Sequence, residues 1–452
     1  MKHTTTILAE IRKFMEQNGL TLLQLSQKAE INTGSLSSIL NGKRLLNATH
    51  LDSITAALAL PEGYFYEQYI EEFLAQTAPD WRRARPFLDH CAKLDKLDCI
   101  RQVTGILLDN LMYLPLLFEA AEDLFDRGLK EAAAILYENV AMSERMQHSE
   151  RLAMCQYRLF LLRQSEDQEK NYQAALQFEP FVDRLDEFDQ LDALKDLGNT
   201  YRSLYRWDKV EEIAHSMEHR AKLQYTRNLR LKKKEHSQKK PSRPLFSYIA
   251  LSNLFLADIC NARGDYEQAL KYTYAYADLS WVKETDMDTL HWKGLFQKWA
   301  EANLYVNKLL SGDIDILPDY IAYVETKEEE ILPALVNILR AANQYNINVD
   351  DILLRFDSYI TTSTEELRAA GIYTDQFMSN SLAFLLYELA KYQLNKSRYK
   401  EVFDALQISL EKSVIINNKT CLIRCAGLLE LLCRLGYSFA DEQAAKKECS
   451  LT

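Results

Sequence analysis

The chain has 452 residues, 47% of them hydrophobic and 26% charged, with 13 Gly, 9 Pro and a formal net charge of -11. At roughly 100–200 residues per domain this amounts to about two to four structural units, and both Gly and Pro fall well below their usual shares of about 7% and 5%. Turns that need a positive or fixed φ must therefore be scarce, which argues against a β-sandwich, a barrel or a Gly-rich phosphate cradle and predicts an all-α chain of long helices.

The first predicted helix runs from Thr6 to Met15, with Ile7, Leu8, Ile11, Phe14 and Met15 on one face and Asn18-Gly19 as its stop. Thr21 followed by Gln24 has the spacing of a capping box, and the second helix, Leu22 to Ala29, buries Leu22 or Leu23, Leu25 and Ala29. A tight turn, Glu30-Ile31-Asn32, leads into a third helix from Thr33 to Leu40, capped by Asn32 or Thr33 and stopped by Asn41-Gly42. With Ile31, Leu36 and Ile39 inward, the outward residues are Thr33, Gly34, Ser35, Ser37 and Ser38, and Lys43 and Arg44 follow at once. Small hydroxyl side chains let a helix approach base edges in the major groove, and two cations at its end suit backbone phosphates. A fourth helix, Asn47 to Leu60, closes the small core with Leu51, Ile54, Ala57 and Leu58.

The string from Thr21 to Gly42 resembles the helix-turn-helix of phage-repressor-like (Cro/C1) regulators, with Leu22 where that family often has a Gln and Glu30 in place of its usual turn Gly. The resemblance implies recognition of double-stranded DNA through Thr33, Gly34, Ser35, Ser37, Ser38, Lys43 and Arg44. Residues 1–70 hold six Lys/Arg against six Asp/Glu, so DNA binding is expected of a homodimer rather than of one head. The alternative is a helix-turn-helix kept as a protein-interaction module.

Next comes an aromatic run, Tyr64, Phe65, Tyr66, Tyr69, Ile70 and Phe73, broken at Thr77 to Trp81. Beyond it four segments superimpose without gaps: Ala121 to Ala133, Gly198 to Val210, Ala257 to Ala269 and Ala390 to Val402. Each has a small residue seven before a turn position (Gly128, Tyr205, Gly264, Ser397) and a small or β-branched residue five after it. Three add an aromatic two after the turn: Trp207, Tyr266 and Tyr399. Trp292 to Leu310 supplies a degenerate copy with Asn307 as its turn. The layout resembles the tetratricopeptide repeat, a helix-turn-helix unit that stacks into a superhelix. Such a superhelix presents its first helices on a concave face suited to an extended peptide, because an Asn amide both donates to and accepts from a peptide unit. Asn199, Asn253 and Asn303, with Tyr201, Tyr305 and Tyr387 as apolar walls, are the expected peptide contacts.

Residues 220–243 carry ten Lys/Arg and one acid, which reads either as a basic arm for DNA or as a solvated loop between repeats. His215 and His219 lie one turn apart without an evident third ligand, and a surface helix is the simpler reading. The eight Cys form no CxxC pair, and Cys421 and Cys425, one turn apart, read as small core residues. No charged-then-apolar leader opens the chain and no run approaches about 20 apolar residues, so a cytoplasmic protein without membrane contact is expected.

A Cro-like head followed by tetratricopeptide-like repeats is similar to the RRNPP family of peptide-responsive regulators, which includes phage arbitrium receptors. The resemblance implies a transcriptional regulator used in quorum sensing, with a repeat domain that dimerises and takes up a short signalling peptide. The expected organisation is a DNA-binding head at 1–70, linker helices at 71–110 and a repeat domain at 111–452, with the last repeats, Phe377 to Leu435, as the dimer contact. There is no GxxxxGK[ST], GxSxG, HExxH or EF-hand signature, so neither an enzyme nor a cofactor is expected. The rival reading is a scaffold that sequesters a partner regulator without DNA.

Overall fold

In the computed structural model the described residues are 6–76, 79–145, 149–230, 240–365 and 375–435; among them there is no strand. The chain divides into two compact units, Met1–Leu162 and Arg163–Thr452. The first contains α1 (Ile7–Gln17), α2 (Leu22–Lys28), α3 (Thr33–Leu40), α4 (Ala48–Ala57), α5 (Tyr66–Tyr69), α6 (Trp81–Lys93), α7 (Leu97–Leu108), α8 (Leu114–Asp126), α9 (Lys130–Ser143) and α10 (Glu150–Leu162). The second contains α11 (Gln168–Phe178), α12 (Glu187–Ser203), α13 (Trp207–Arg230), α14 (Leu245–Arg263), α15 (Tyr266–Ala277), α16 (Met287–Leu310), α17 (Leu317–Glu325), α18 (Glu328–Tyr345), α19 (Asp350–Arg355), α20 (Asp357–Glu365), α21 (Asp375–Asn395), α22 (Tyr399–Ile415) and α23 (Lys419–Arg434).

In the first unit α4 ends three residues before the expected Leu60, because Ala59 turns to φ 54° just ahead of Pro61, whose ring cannot continue a helix. The aromatic run forms α5 and a π-helical turn at Ile70–Leu74. Tyr66 and Tyr69 are buried, with ring centroids 4.9 and 5.0 Å from Phe87 of α6. Tyr66 also donates to Asp52 of α4 at 2.9 Å, and His90 of α6 pairs with the same carboxylate. The helices expected as a linker are thus packed onto the head.

The repeat layout appears as helix pairs. All four turn positions adopt a left-handed backbone: Gly128 at φ 76°, Tyr205 at 57°, Gly264 at 79° and Ser397 at 59°. Only Gly reaches that region without steric cost, so Tyr205 and Ser397 hold it at about 1 kcal/mol each, set against the packing around them. The positions five after the turn, Ala133, Val210, Ala269 and Val402, are all fully buried. Asn307 is not a turn: α16 continues to Leu310 and the chain reverses at Gly312, φ 101°. Asn307 is instead buried, donating to Thr273 Oγ1 at 3.1 Å and accepting from Asn261 at 2.7 Å.

The small residue seven before the turn lets neighbouring helices touch. A Cβ at Gly198 of α12 would lie 2.4 Å from Phe255 Cε2 of α14, and that ring is itself fully buried. Gly198→Ala gains about 1 kcal/mol of helix propensity but overpacks the contact at about 1–3 kcal/mol. A net loss of about 1 kcal/mol in urea unfolding is expected, relieved by adding Phe255→Leu; stabilisation by the single substitution would contradict the contact.

α14 is the most apolar long helix described: an 18-residue window of it has a mean hydropathy of 1.3, enough by length and composition to span a membrane, and most of that window is buried inside the protein. Buried against α12, α13, α15 and α16, it is the central core helix of the second unit, the usual place for a helix without a polar face.

The second unit closes on itself. The backbone N–H of Gln168, at the start of α11, donates to Ile416 O at 3.0 Å, and Lys419 pairs with Glu169 at 2.5 Å. At the centre is the buried amide of Asn380 on α21. Its Oδ1 accepts from Gln168 Nε2 at 2.7 Å and from Asn418 Nδ2 at 2.5 Å, while its Nδ2 donates to Ser203 O at 3.2 Å. Polar bonds, not apolar burial alone, therefore join the first helices of this array to its last.

Candidate nucleic-acid interface and repeat inner face

The head is built by its caps. Thr21 and Gln24 form the reciprocal capping box, Thr21 N donating to Gln24 Oε1 at 2.8 Å and Gln24 N to Thr21 Oγ1 at 3.3 Å. Asn32, not Thr33, caps α3, accepting from Gly34 N at 2.9 Å and Ser35 N at 3.3 Å. Thr33 is turned towards α2, its hydroxyl 2.7 Å from Ser26 Oγ. Leu36 and Ile39 are buried, so α3 keeps Gly34 exposed and Ser35, Ser37 and Ser38 half-buried on its outer side. Ser38 bonds back to Gly34 O at 2.8 Å.

Lys43 and Arg44 are both exposed beyond the stop of α3. Arg44 folds back so that Nη1 donates to Ser35 Oγ at 3.0 Å, joining a cation to the hydroxyl row. It also acts on His50, whose pKa is held below its ordinary value first by burial and then by the Arg44 charge. Arg12, a residue the sequence reading passed over, reaches from α1 to Leu40 O, and its Nη2 lies 3.3 Å from Asn41 Oδ1, fixing the carboxyl end of α3. Its signal in the sequence was its place on the polar face of α1.

Glu30 occupies the inter-helix turn at φ 54°. A side chain there costs about 1 kcal/mol relative to Gly and places a negative charge in the turn between α2 and α3. Glu30→Gly is expected to slow amide hydrogen exchange in α2 and α3 about fivefold, the equivalent of that 1 kcal/mol. Exchange as fast as or faster than in the parent chain would show that the turn is unstrained.

In the second unit the first helices of successive pairs are tied along one face. Arg202 of α12 pairs with Asp258 of α14 at 2.5 Å; Asn261 of α14 donates to Asn307 of α16 and receives Arg340 of α18 at 3.4 Å. Asn343 of α18 donates to Glu388 of α21 at 2.9 Å. Burial pushes the Asp258 carboxyl up while Arg202 draws it down.

The expected peptide contacts fall differently. Asn199 is exposed on α12, with no hydrogen-bond partner for its amide among the described residues. Asn253 is half-buried and bonded to Ile249 O at 3.0 Å, and Asn303 donates to Tyr276 Oη at 2.8 Å. Tyr201 is a core residue in this structure: it is fully buried and its hydroxyl bonds Glu179 at 2.5 Å. Its side of α12 is covered by α11 and the turn after it, which helix periodicity within α12 cannot reveal. Tyr305 stacks on Tyr320 at 5.5 Å, and Tyr387 packs on the core of α21–α23 with Lys391 over its ring. The sequence reading missed Arg202, Asp258, Asn261 and Arg340. One signal was available: Asp258 is the only acid in the mostly apolar α14.

Of the basic segment, Arg220, Lys222 and Arg227 on α13 pair with Asp183, Glu218 and Glu187, and Arg243 lies over the Trp292 ring, while 231–239 lie outside the described residues. His215 and His219 are exposed on α13, and Cys421 and Cys425 are buried beneath Ser409.

Residues 11–65 match a family model described as helix-turn-helix. No curated protein matches the chain. A solved structure described as a "circular tandem repeat protein with novel repeat topology and enhanced subunit contact surfaces" aligns at 11% identity over 94% of this chain and 88% of that one, with a TM-score of 0.14, too low to carry an argument. The capping box, the Asn32 cap, the hydroxyl face of α3 and the family match agree: residues 11–65 form a Cro/C1-type helix-turn-helix domain, the fold of DNA-binding transcription regulators.

Proposed function

We propose that the chain is a sequence-specific transcription regulator that binds a two-fold operator as a homodimer and is controlled by a short signalling peptide held on the inner face of its repeats. The observation that carries the DNA part is the outer face of α3, small and hydroxyl-bearing, with Arg44 bonded to Ser35 at its edge. In this reading Gly34, Ser35, Ser37 and Ser38 meet base edges with Thr33 behind them, and Lys43 and Arg44 meet phosphates. The even charge of the head supports pairing, since one copy neutralises few phosphates and two copies double that number. Asn199 is the peptide-backbone contact, with Asn253, Asn303, Tyr305 and Tyr387 around it. Peptide binding shifts the population of repeat arrangements and so the distance between the two heads, which half-site spacing converts into affinity.

The test is selection of bound duplexes from a random DNA pool by the full chain and by Ser35→Asp. A two-fold motif enriched by the parent and lost in the variant is expected, because a carboxylate repels phosphate and takes the place of a hydroxyl at the base edges. The same motif enriched by both would remove α3 as the reading helix; no motif from either would favour a scaffold that sequesters a partner regulator.

A further inference from the structure

Four small polar side chains meet inside the core formed by α21, α22 and α23. Ser409 and Ser413 lie one turn apart on α22, Cys421 and Cys425 lie one turn apart on α23, and all four are fully buried. Ser409 Oγ is 3.7 Å from Cys421 Sγ and 3.3 Å from Cys425 Sγ, so both sulfurs converge on one oxygen. The single proton of that hydroxyl is already used, because it donates to Ala383 O of α21 at 2.8 Å. Ser409 is therefore an acceptor towards the pair, and both thiol protons point at its lone pairs. Ser413 Oγ, on the same face of α22, has no hydrogen-bond partner among the described residues.

A buried hydroxyl without a partner costs stability, which small apolar residues in its place would avoid. Two thiols whose protons are aimed at one point have a chemical use, the exchange of those protons for a cation at that point. The lone pairs of Ser409 then face the cation. The free hydroxyl of Ser413 is the donor left for Cys421, which like it lies one turn nearer the α22–α23 turn.

A disulfide fits this pair less well than an ion. Positions one turn apart on a helix hold their Cβ atoms about 5–6 Å apart, whereas a disulfide needs about 3.5–4.5 Å. Two metal–thiolate bonds of about 2.3 Å in line span about 4.6 Å between sulfurs, which that spacing accepts without unwinding α23. The number of ligands selects the ion: among the described residues no His, Asp, Glu or further Cys completes a group of three with this pair. Four-coordinate Zn(II) is not satisfied by two thiolates, whereas soft, two-coordinate Cu(I) is.

We propose that Cys421 and Cys425 bind one Cu(I) as a bis-thiolate site between α22 and α23, with Ser409 and Ser413 as its oxygen neighbours. Two S–H bonds are exchanged for two S–Cu bonds, both protons leave to solvent, and the site carries one net negative charge with no change in oxidation state. Its effect reaches the closure of the array. Cys421 N donates to Asn418 Oδ1 at 2.9 Å, and the same side chain donates through Nδ2 to Asn380. An ion that ties Cys421 to Cys425 stiffens the first turns of α23, whose cap is the closure amide.

The experiment titrates the reduced full chain with Cu(I), without oxygen and against a colorimetric Cu(I) chelator, and reads the ion's neighbours by X-ray absorption. The parent is expected to hold one Cu(I) with two sulfur neighbours and to show slower amide exchange at the starts of α23 and α11. Cys421→Ser and Cys425→Ala should each lose the ion to the chelator with an unchanged circular-dichroism spectrum. Ser413→Ala should keep both sulfur neighbours and bind about tenfold more weakly, and Cys433→Ser, at an exposed thiol, should match the parent. Exchange in the parent needs no substitution in the core, and Cu(I) that leaves α23 unprotected overturns the site even where a variant fails to fold. One Cu(I) still held by folded Cys421→Ser places the ion on other thiols and overturns the proposal, as does a parent that holds none. Displacement of Cu(I) by an equal concentration of Zn(II) overturns the two-coordinate assignment.

Discussion

Replacing Asn380 with Leu is expected to destabilise the second unit by about 3–6 kcal/mol, the largest single-residue effect anticipated in this chain. Leu has the same number of side-chain heavy atoms as Asn in the same branching pattern, but it is bulkier and has no polar atoms. The substitution leaves Gln168 Nε2, Asn418 Nδ2 and Ser203 O without their partner on α21. Gln168 and Asn418 are buried, so water cannot replace the lost bonds without opening the closure. An unsatisfied buried polar group costs about 1–3 kcal/mol, and three such groups sharing one network give the range above. Asn380→Asp keeps the acceptor for Gln168 and Asn418 but loses the donor to Ser203 O and Tyr205 Oη and buries a carboxylate, so it too is expected to destabilise the unit. Urea unfolding of the full chain followed by circular dichroism measures both, and the Leu variant should also show faster amide exchange at the starts of α11 and α23. A loss below about 1 kcal/mol in the Leu variant would mean that the ends of the array are held by apolar packing alone.

The second large effect concerns DNA. Lys43→Ala/Arg44→Ala is expected to weaken binding to a selected operator about 100-fold or more at physiological salt. In a dimer the double substitution removes four cations. If each neutralises one phosphate, the slope of log affinity against log salt falls by about 3.6, from roughly 0.9 per contact. Arg44 also holds Ser35 Oγ at 3.0 Å, so its loss should reduce discrimination between operator and random duplex as well as overall affinity. Fluorescence anisotropy at several salt concentrations separates the two contributions. An unchanged salt slope would place the phosphate contacts elsewhere on the chain.

The head was largely legible because its determinants are local. A cap bonds residues two or three positions away, a C-terminal stop needs only a residue that accepts positive φ, and the small core repeats at helical period. Thr21, Gln24, Gly19 and Gly42 therefore behave in the structure as their spacing indicates. Glu30 was legible as a departure from the usual turn Gly, and its left-handed backbone is the physical form of that departure. The repeat turns were read by the same logic at Gly128, Tyr205, Gly264 and Ser397. Asn307 was misread because Asn tolerates a turn and a helix interior alike, and only the bonds from Asn261 and to Thr273 decide between them.

The candidate peptide face was legible only in outline. Choosing Asn and Tyr near the ends of first helices found one exposed, unpartnered amide, Asn199, and one residue, Tyr201, that the neighbouring helix covers. In a stacked array each helix is contacted on several sides, so the apolar period says which residues avoid water but not which neighbour hides them.

By itself, then, the sequence determined the caps and stops of the head helices, the four repeat turns at Gly128, Tyr205, Gly264 and Ser397, and that the head holds a helix-turn-helix, because each of these is decided within a few residues or one helical turn. Tertiary structure alone decided that α11 and α12 meet α21–α23 through Asn380, and that Arg202 finds Asp258 while Arg340 finds only amides. These partners lie from 3 to more than 200 positions apart, and no local preference encodes which of several polar side chains on adjoining helices will share a buried space. That is settled by how closely the helices approach, which at Gly198 and Phe255 is a matter of a single missing methyl group.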